Sequence, residues 1–114
     1  MDFERLDVWK LSARLSVDVY RELAGCRDFG FKDQITRSAL SVPSNIAEGW
    51  SRESRKEKSQ FLAIAQGSLS ELHTQLLLCE RLSWIQCGPL QETYGLADET
   101  SRMLTTLRRR FRSE

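Results

Sequence analysis

From Leu62 to Cys79 the apolar residues Leu62, Ala65, Leu69, Leu72, Leu76 and Cys79 recur at alternating steps of three and four. That spacing holds one stripe against a partner helix along a left-handed bundle, whereas a strand would need period two. Just upstream, Ser54-Arg55-Lys56-Glu57 has the form of a capping box, in which serine and glutamate satisfy each other's orphan backbone donors. The helix predicted over 54–86 would be roughly 45 Å long at 1.5 Å per residue. Such a length is large for a chain of 114 residues, so the fold is expected to be an elongated rod. Gly67 and Ser68 fall in mid-helix, where glycine costs about 1 kcal/mol relative to alanine, and close approach of a neighbouring helix would justify that cost.

The rest of the chain reads as three more helices, over 7–24, 31–48 and 89–112. Asp7 is placed to cap the first, with Leu6 and Leu11 as a hydrophobic staple. Along it Val8, Leu11, Leu15, Val19 and Leu23 make one stripe and Trp9, Ala13, Val17, Tyr20 and Ala24 a second. A helix apolar over so much of its circumference is expected to bury a side against another subunit. Gly88 and Pro89 separate the third helix from the fourth, along which Leu90, Tyr94, Ala97, Leu104, Leu107 and Phe111 line one side. No segment alternates with period two over a strand's length. The class is therefore all-α, one domain over 1–114, an up-down-up-down four-helix bundle with short links.

The second helix carries an unusual segment, QITRSALSVPSNIAEGW, from Gln34 to Trp50. Ile35, Ala39, Val42 and Ile46 form its apolar face, while Gln34, Arg37, Ser41, Ser44, Asn45 and Glu48 gather on the other. Pro43 removes a backbone donor and is expected to kink or interrupt the helix, with Gly49 as its stop. The polar row, joined by Glu71, suits a buried or interfacial hydrogen-bonded network that sets the register of the bundle.

Most function classes find no foothold. Cys26, Cys79 and Cys87 are odd in number, lack a C-x-x-C pair and sit among apolar neighbours, as reduced core thiols of a cytoplasmic protein do. With His73 the sole histidine, a Cys/His metal site is not expected, and nothing points to a cofactor. His73 has no activated nucleophile beside it, and Glu48 and Glu71 suit an ion network better than a catalytic carboxylate pair, so no catalytic residue is assigned and the chain is not expected to be an enzyme. A glycine-rich phosphate loop is missing as well. No apolar run approaches the roughly 18 residues of a membrane span, and MDFERLDVWK does not read as a secretory signal.

Charge is balanced in sum, 17 Lys and Arg against 16 Asp and Glu, but not in distribution. Five arginines and no acid fall between Arg102 and Arg112, among them Arg108, Arg109, Arg110 and Arg112. Arg52, Arg55, Lys56 and Lys58 form a second basic group. Together they are the candidate phosphate contacts for RNA or DNA, and repetition of the cluster in an oligomer would strengthen the field.

The strings FERLDVWKLSARL from Phe3, DQITRSALSVPSNIAEGW, and FLAIAQGSLSELHTQLLLCERL ending at Leu82 carry a family resemblance. The chain resembles the bacterial four-helix-bundle family first named for proteins encoded in intervening sequences of the large-subunit ribosomal RNA gene, and is similar to the accessory variability protein of diversity-generating retroelements. The resemblance implies a bundle that assembles into a homopentameric barrel, with a basic surface or channel proposed to engage RNA or DNA and no known enzymatic activity. Gln34, Arg37, Ser44, Asn45, Glu48 and Gly49 match the second-helix motif, and Gly67, Ser68 and Glu71 the third. By that match they hold the bundle and its assembly together. Ahead of the second helix this chain reads GCRDFGF, where the family commonly has a proline and an acidic loop. The expected function is thus a non-catalytic homo-oligomer that binds nucleic acid; the alternative is a structural or protein-interaction module whose bases only solubilise its ends.

Overall fold

The computed structural model describes residues 2–83 and 88–112. A 3-10 turn, Asp2–Arg5, leads into four α-helices: α1 Asp7–Glu22, α2 Phe29–Trp50, α3 Arg55–Arg81 and α4 Gln91–Arg112. No strand occurs among the described residues. Each helix packs on its successor and α4 closes back on α1, giving an up-down-up-down bundle of 48 × 23 × 21 Å. The rod shape follows from α3, whose 27 residues span about 40 Å at 1.5 Å each. All six residues of its three-four stripe are buried, in one cluster with Leu15 and Val19 of α1, Leu23 at its C-terminal end, Ile35, Ala39, Val42 and Ile46 of α2, and Ala97 and Leu104 of α4.

Several local expectations shift once packing is visible. The residue capping α1 is Leu6, with no side-chain hydrogen bond, and Asp7 is already helical. The preceding 3-10 turn closes onto the start of α1, with the Leu6 N–H donating to the Phe3 carbonyl at 3.0 Å. Helix α2 starts two residues earlier than expected because Asp28 accepts from the Phe31 N–H at 3.1 Å. At the start of α3 only half of the capping box forms: Ser54 Oγ accepts from the Glu57 N–H at 3.0 Å, but the Glu57 carboxylate turns to Arg52 at 3.9 Å. That helix ends at Arg81; the expected continuation over 84–86 and Cys87 lie outside the described residues. Cys26 and Cys79 are buried and outside any disulfide. Of the second α1 stripe, Val17, Tyr20 and Ala24 face solvent, because the small hydroxyls Ser12 and Ser16 take the buried positions against α2.

Pro43 does not interrupt α2, which runs unbroken for 22 residues. The missing N–H of Pro43 would leave the Ala39 carbonyl, four residues back, without its helical donor. Ser16 of α1 supplies that donor, its Oγ lying 2.6 Å from the Ala39 oxygen inside the core. Gly49 is not the stop either, since α2 continues to Trp50. A Cβ at Gly49 would sit 2.8 Å from Phe61 Cβ, so its role is to let α3 approach closely.

Candidate nucleic-acid interface

Up-down-up-down topology brings the end of α2, the start of α3 and the end of α4 to the same pole of the rod. The two basic groups therefore meet, although the contact that joins them spans 55 positions of sequence. Arg55 donates from Nη2 to the Arg110 carbonyl, and its guanidinium stacks 5.3 Å from the centre of the Phe111 ring. Phe111 in turn meets Trp50 edge to face, with ring centroids 6.3 Å apart.

The basic side chains divide into two kinds. Lys58 donates to the Trp50 carbonyl at 2.7 Å and lies 5.1 Å over the Trp50 ring. Arg52 pairs with Glu48 and sits 4.9 Å over the Phe61 ring. Arg108 donates to Gln66 Oε1 at 2.6 Å, while the Gln66 amide donates to Thr105 Oγ1 at 2.9 Å, so this arginine is clamped between α3 and α4. Together with Arg55 these groups build the pole. Lys56, Arg109, Arg110 and Arg112 are exposed on it, the last three in the final turn of α4, where cations complement the helix dipole. Acids from the N-terminal turn flank one side: Asp2 and Phe3 line a cleft with Trp50 and Ser51. The aromatic scaffold of Trp50, Phe61 and Phe111 and the Gln66 clamp escaped the sequence reading, since nothing local links those positions.

The six expected network residues do not meet in one network. Gln34, Arg37, Ser44, Glu48 and Glu71 are exposed and Asn45 is half-buried, all on the outer side of α2 and α3. Arg37 pairs with Asp33 at 3.3 Å, Ser44 donates to the Leu40 carbonyl at 2.8 Å, and Glu71 receives the Gln75 amide at 3.4 Å. The polar link between the helices runs elsewhere: Asn45 donates to Ser41 Oγ at 2.9 Å, and Ser41 and Ser68 share a hydrogen bond of 2.8 Å. The expected burial of these residues within the bundle is thus corrected, because the inner positions of this seam belong to serines and glycine that permit close packing. His73 is exposed on α3 with its ring 5.6 Å from that of Tyr94. Among the described residues no group of three or more His, Cys, Asp or Glu could hold a metal ion, and no helix is long and apolar enough to cross a membrane.

Residues 4–106 match the family model described as 23S rRNA-intervening sequence protein. No curated protein matches the chain. The match takes in Arg52, Arg55, Lys56 and Lys58 and stops short of Arg108–Arg112.

Proposed function

The chain belongs to the 23S rRNA-intervening sequence protein family, and we propose that it is a non-catalytic, cytoplasmic homo-oligomer, a pentameric barrel of four-helix bundles, that binds RNA or DNA. The observation that carries this reading is the convergence of both basic groups on one pole, with Lys56, Arg109 and Arg112 exposed around the edge-to-face pair of Trp50 and Phe111. Cations held on one rigid surface add their fields within a Debye length of about 8–10 Å, and a ring repeats the pole in every subunit. The aromatic faces are already occupied by Arg52, Arg55 and Lys58, so the contacts are with phosphates rather than with bases.

A gel-shift titration across salt tests the reading. Binding at low salt should weaken as salt rises, with a log-log slope of about 0.7–0.9 per phosphate contact. Replacing Arg109, Arg110 and Arg112 together by alanine should flatten that slope. Absence of binding at low salt, or a triple variant that binds as the wild type does, rules the site out. One observation favours the alternative of a structural or protein-interaction module: Arg52, Arg55, Lys58 and Arg108 are engaged within the protomer. Under that reading the purified protein carries no nucleic acid and its native mass is the same before and after nuclease treatment.

A further inference from the structure

A groove opens beside the basic pole between the start of α1 and the second half of α4, with a volume of about 440 Å³. Its apolar surface comes from Leu6, Val8, Met103 and Leu107, all part of the core or packed against it. Three charged side chains also line it: Asp7, Glu99 and, one turn beyond Glu99 on α4, Arg102. None of the three makes a side-chain hydrogen bond or ion pair among the described residues, although Glu99 and Arg102 stand at the i,i+3 spacing that favours one. Asp7 has a structural use, since it lies in the first turn of α1 and complements the helix dipole. Glu99 sits in mid-helix, where the dipole gives it none.

The volume falls within the roughly 300–1,000 Å³ of small-molecule sites. A nucleobase is a flat apolar body with a polar edge, and in a strand it travels with a phosphate. Apolar wall, carboxylate and guanidinium answer those three parts in turn. At the pole itself Arg52, Arg55 and Lys58 cover the aromatic rings, so phosphates bind there and a base finds no free ring. The groove leads away from that same surface. A carboxylate selects among bases because it can only accept. Guanine presents two neighbouring donors, N1–H and the N2 amino group, on its Watson–Crick edge. Adenine and cytosine set an amino group beside a ring-nitrogen acceptor, and uracil flanks its N–H with two carbonyls, so each turns a lone pair towards the carboxylate. In a duplex the guanine edge is already paired, which leaves unpaired guanine as the base that fits.

We propose that the groove between α1 and α4 takes an unpaired guanine of a single strand of RNA or DNA, with Glu99 accepting from N1–H and the N2 amino group and Arg102 holding an adjoining phosphate. The inference rests on the reading of the protein as a nucleic-acid binder and adds which strand and which base it selects.

Fluorescence anisotropy with short labelled oligouridine strands tests this: one all uridine, one with a single central guanosine, and one with inosine in its place. The guanosine strand should bind about tenfold more tightly than oligouridine. Inosine keeps N1–H but lacks the N2 amino group, so it should forfeit most of that gain, and this arm needs no variant. The preference should vanish when complementary strands are annealed and persist in the deoxyribose counterparts, because the base makes the contact. Glu99→Gln, at an exposed position, should bring the guanosine and uridine affinities together. Arg102→Ala should weaken both strands by a similar factor, since a phosphate contact is blind to the base; no change would take Arg102 out of the site. A wild-type protein that binds guanosine, inosine and uridine strands equally, or a Glu99→Gln variant that keeps the preference, overturns the guanine site and leaves the phosphate-binding pole standing. A protein that binds no strand at low salt overturns the nucleic-acid reading, and this inference with it.

Discussion

Ser16 supplies from α1 the hydrogen bond that Pro43 cannot give within α2. The Ala39 carbonyl it serves is buried, and leaving such a group unsatisfied costs about 1–3 kcal/mol. Ser16→Ala should therefore lower stability by about that amount in urea unfolding. Adding Pro43→Ala returns an N–H to the helix and should recover most of the loss, so the two positions are coupled. A Ser16→Ala penalty of the same size with alanine at 43 would show that the hydroxyl matters for another reason. The same logic separates the arginines at residue scale. Arg108 is held by Gln66, so its positive charge is part of the α3–α4 contact, whereas Arg109 and Arg112 project from the pole.

Among the elements, three helical glycines look alike in sequence and differ in what surrounds them. Gly49 is wedged against Phe61, and alanine there must push α2 from α3, which should destabilise by about 1–3 kcal/mol despite alanine's better helix propensity. Gly95 in α4 is exposed with no atom within 4 Å of a would-be Cβ. Gly95→Ala should raise stability by about 0.4–1 kcal/mol through the unfolded state and leave the native mass unchanged. Thermal or urea melts of the two variants decide the matter: shifts of one sign at both positions would contradict the packing described for Gly49. Gly67 in α3 shares the open surroundings of Gly95.

At the scale of the whole molecule, charge that is balanced in the chain becomes polar in the fold. The pole that gathers the ends of α2 and α4 and the start of α3 holds both basic groups, interleaved with Glu48, Glu53 and Glu57, and its excess of bases comes from the last turn of α4. Native mass measured before and after nuclease treatment reads assembly and bound nucleic acid together. The expected outcome is a mass above one protomer in both cases and a drop on digestion that matches released nucleotides; equal masses would place the protein with interaction modules that bind no nucleic acid.

What the sequence determined by itself is what local periodicity can encode. The three-four stripe of α3, the apolar face of α2 and the start at Ser54 depend on neighbours within a few turns, and each is found where the spacing puts it. The cap of α1 fell one residue earlier than expected, at Leu6, and the start of α2 moved by two residues, where the Asp28 carboxylate accepts from the Phe31 N–H. Both basic groups were legible as strings, but their meeting was not, because Arg55 reaches Arg110 only after the chain runs along α3 and turns back along α4. Nor could spacing reveal that Ser16 repairs Pro43, that Gly49 admits Phe61, or that Gln66 immobilises Arg108. Those contacts join residues far apart in the chain, and only the packing of one helix against another decides which side chains come within reach.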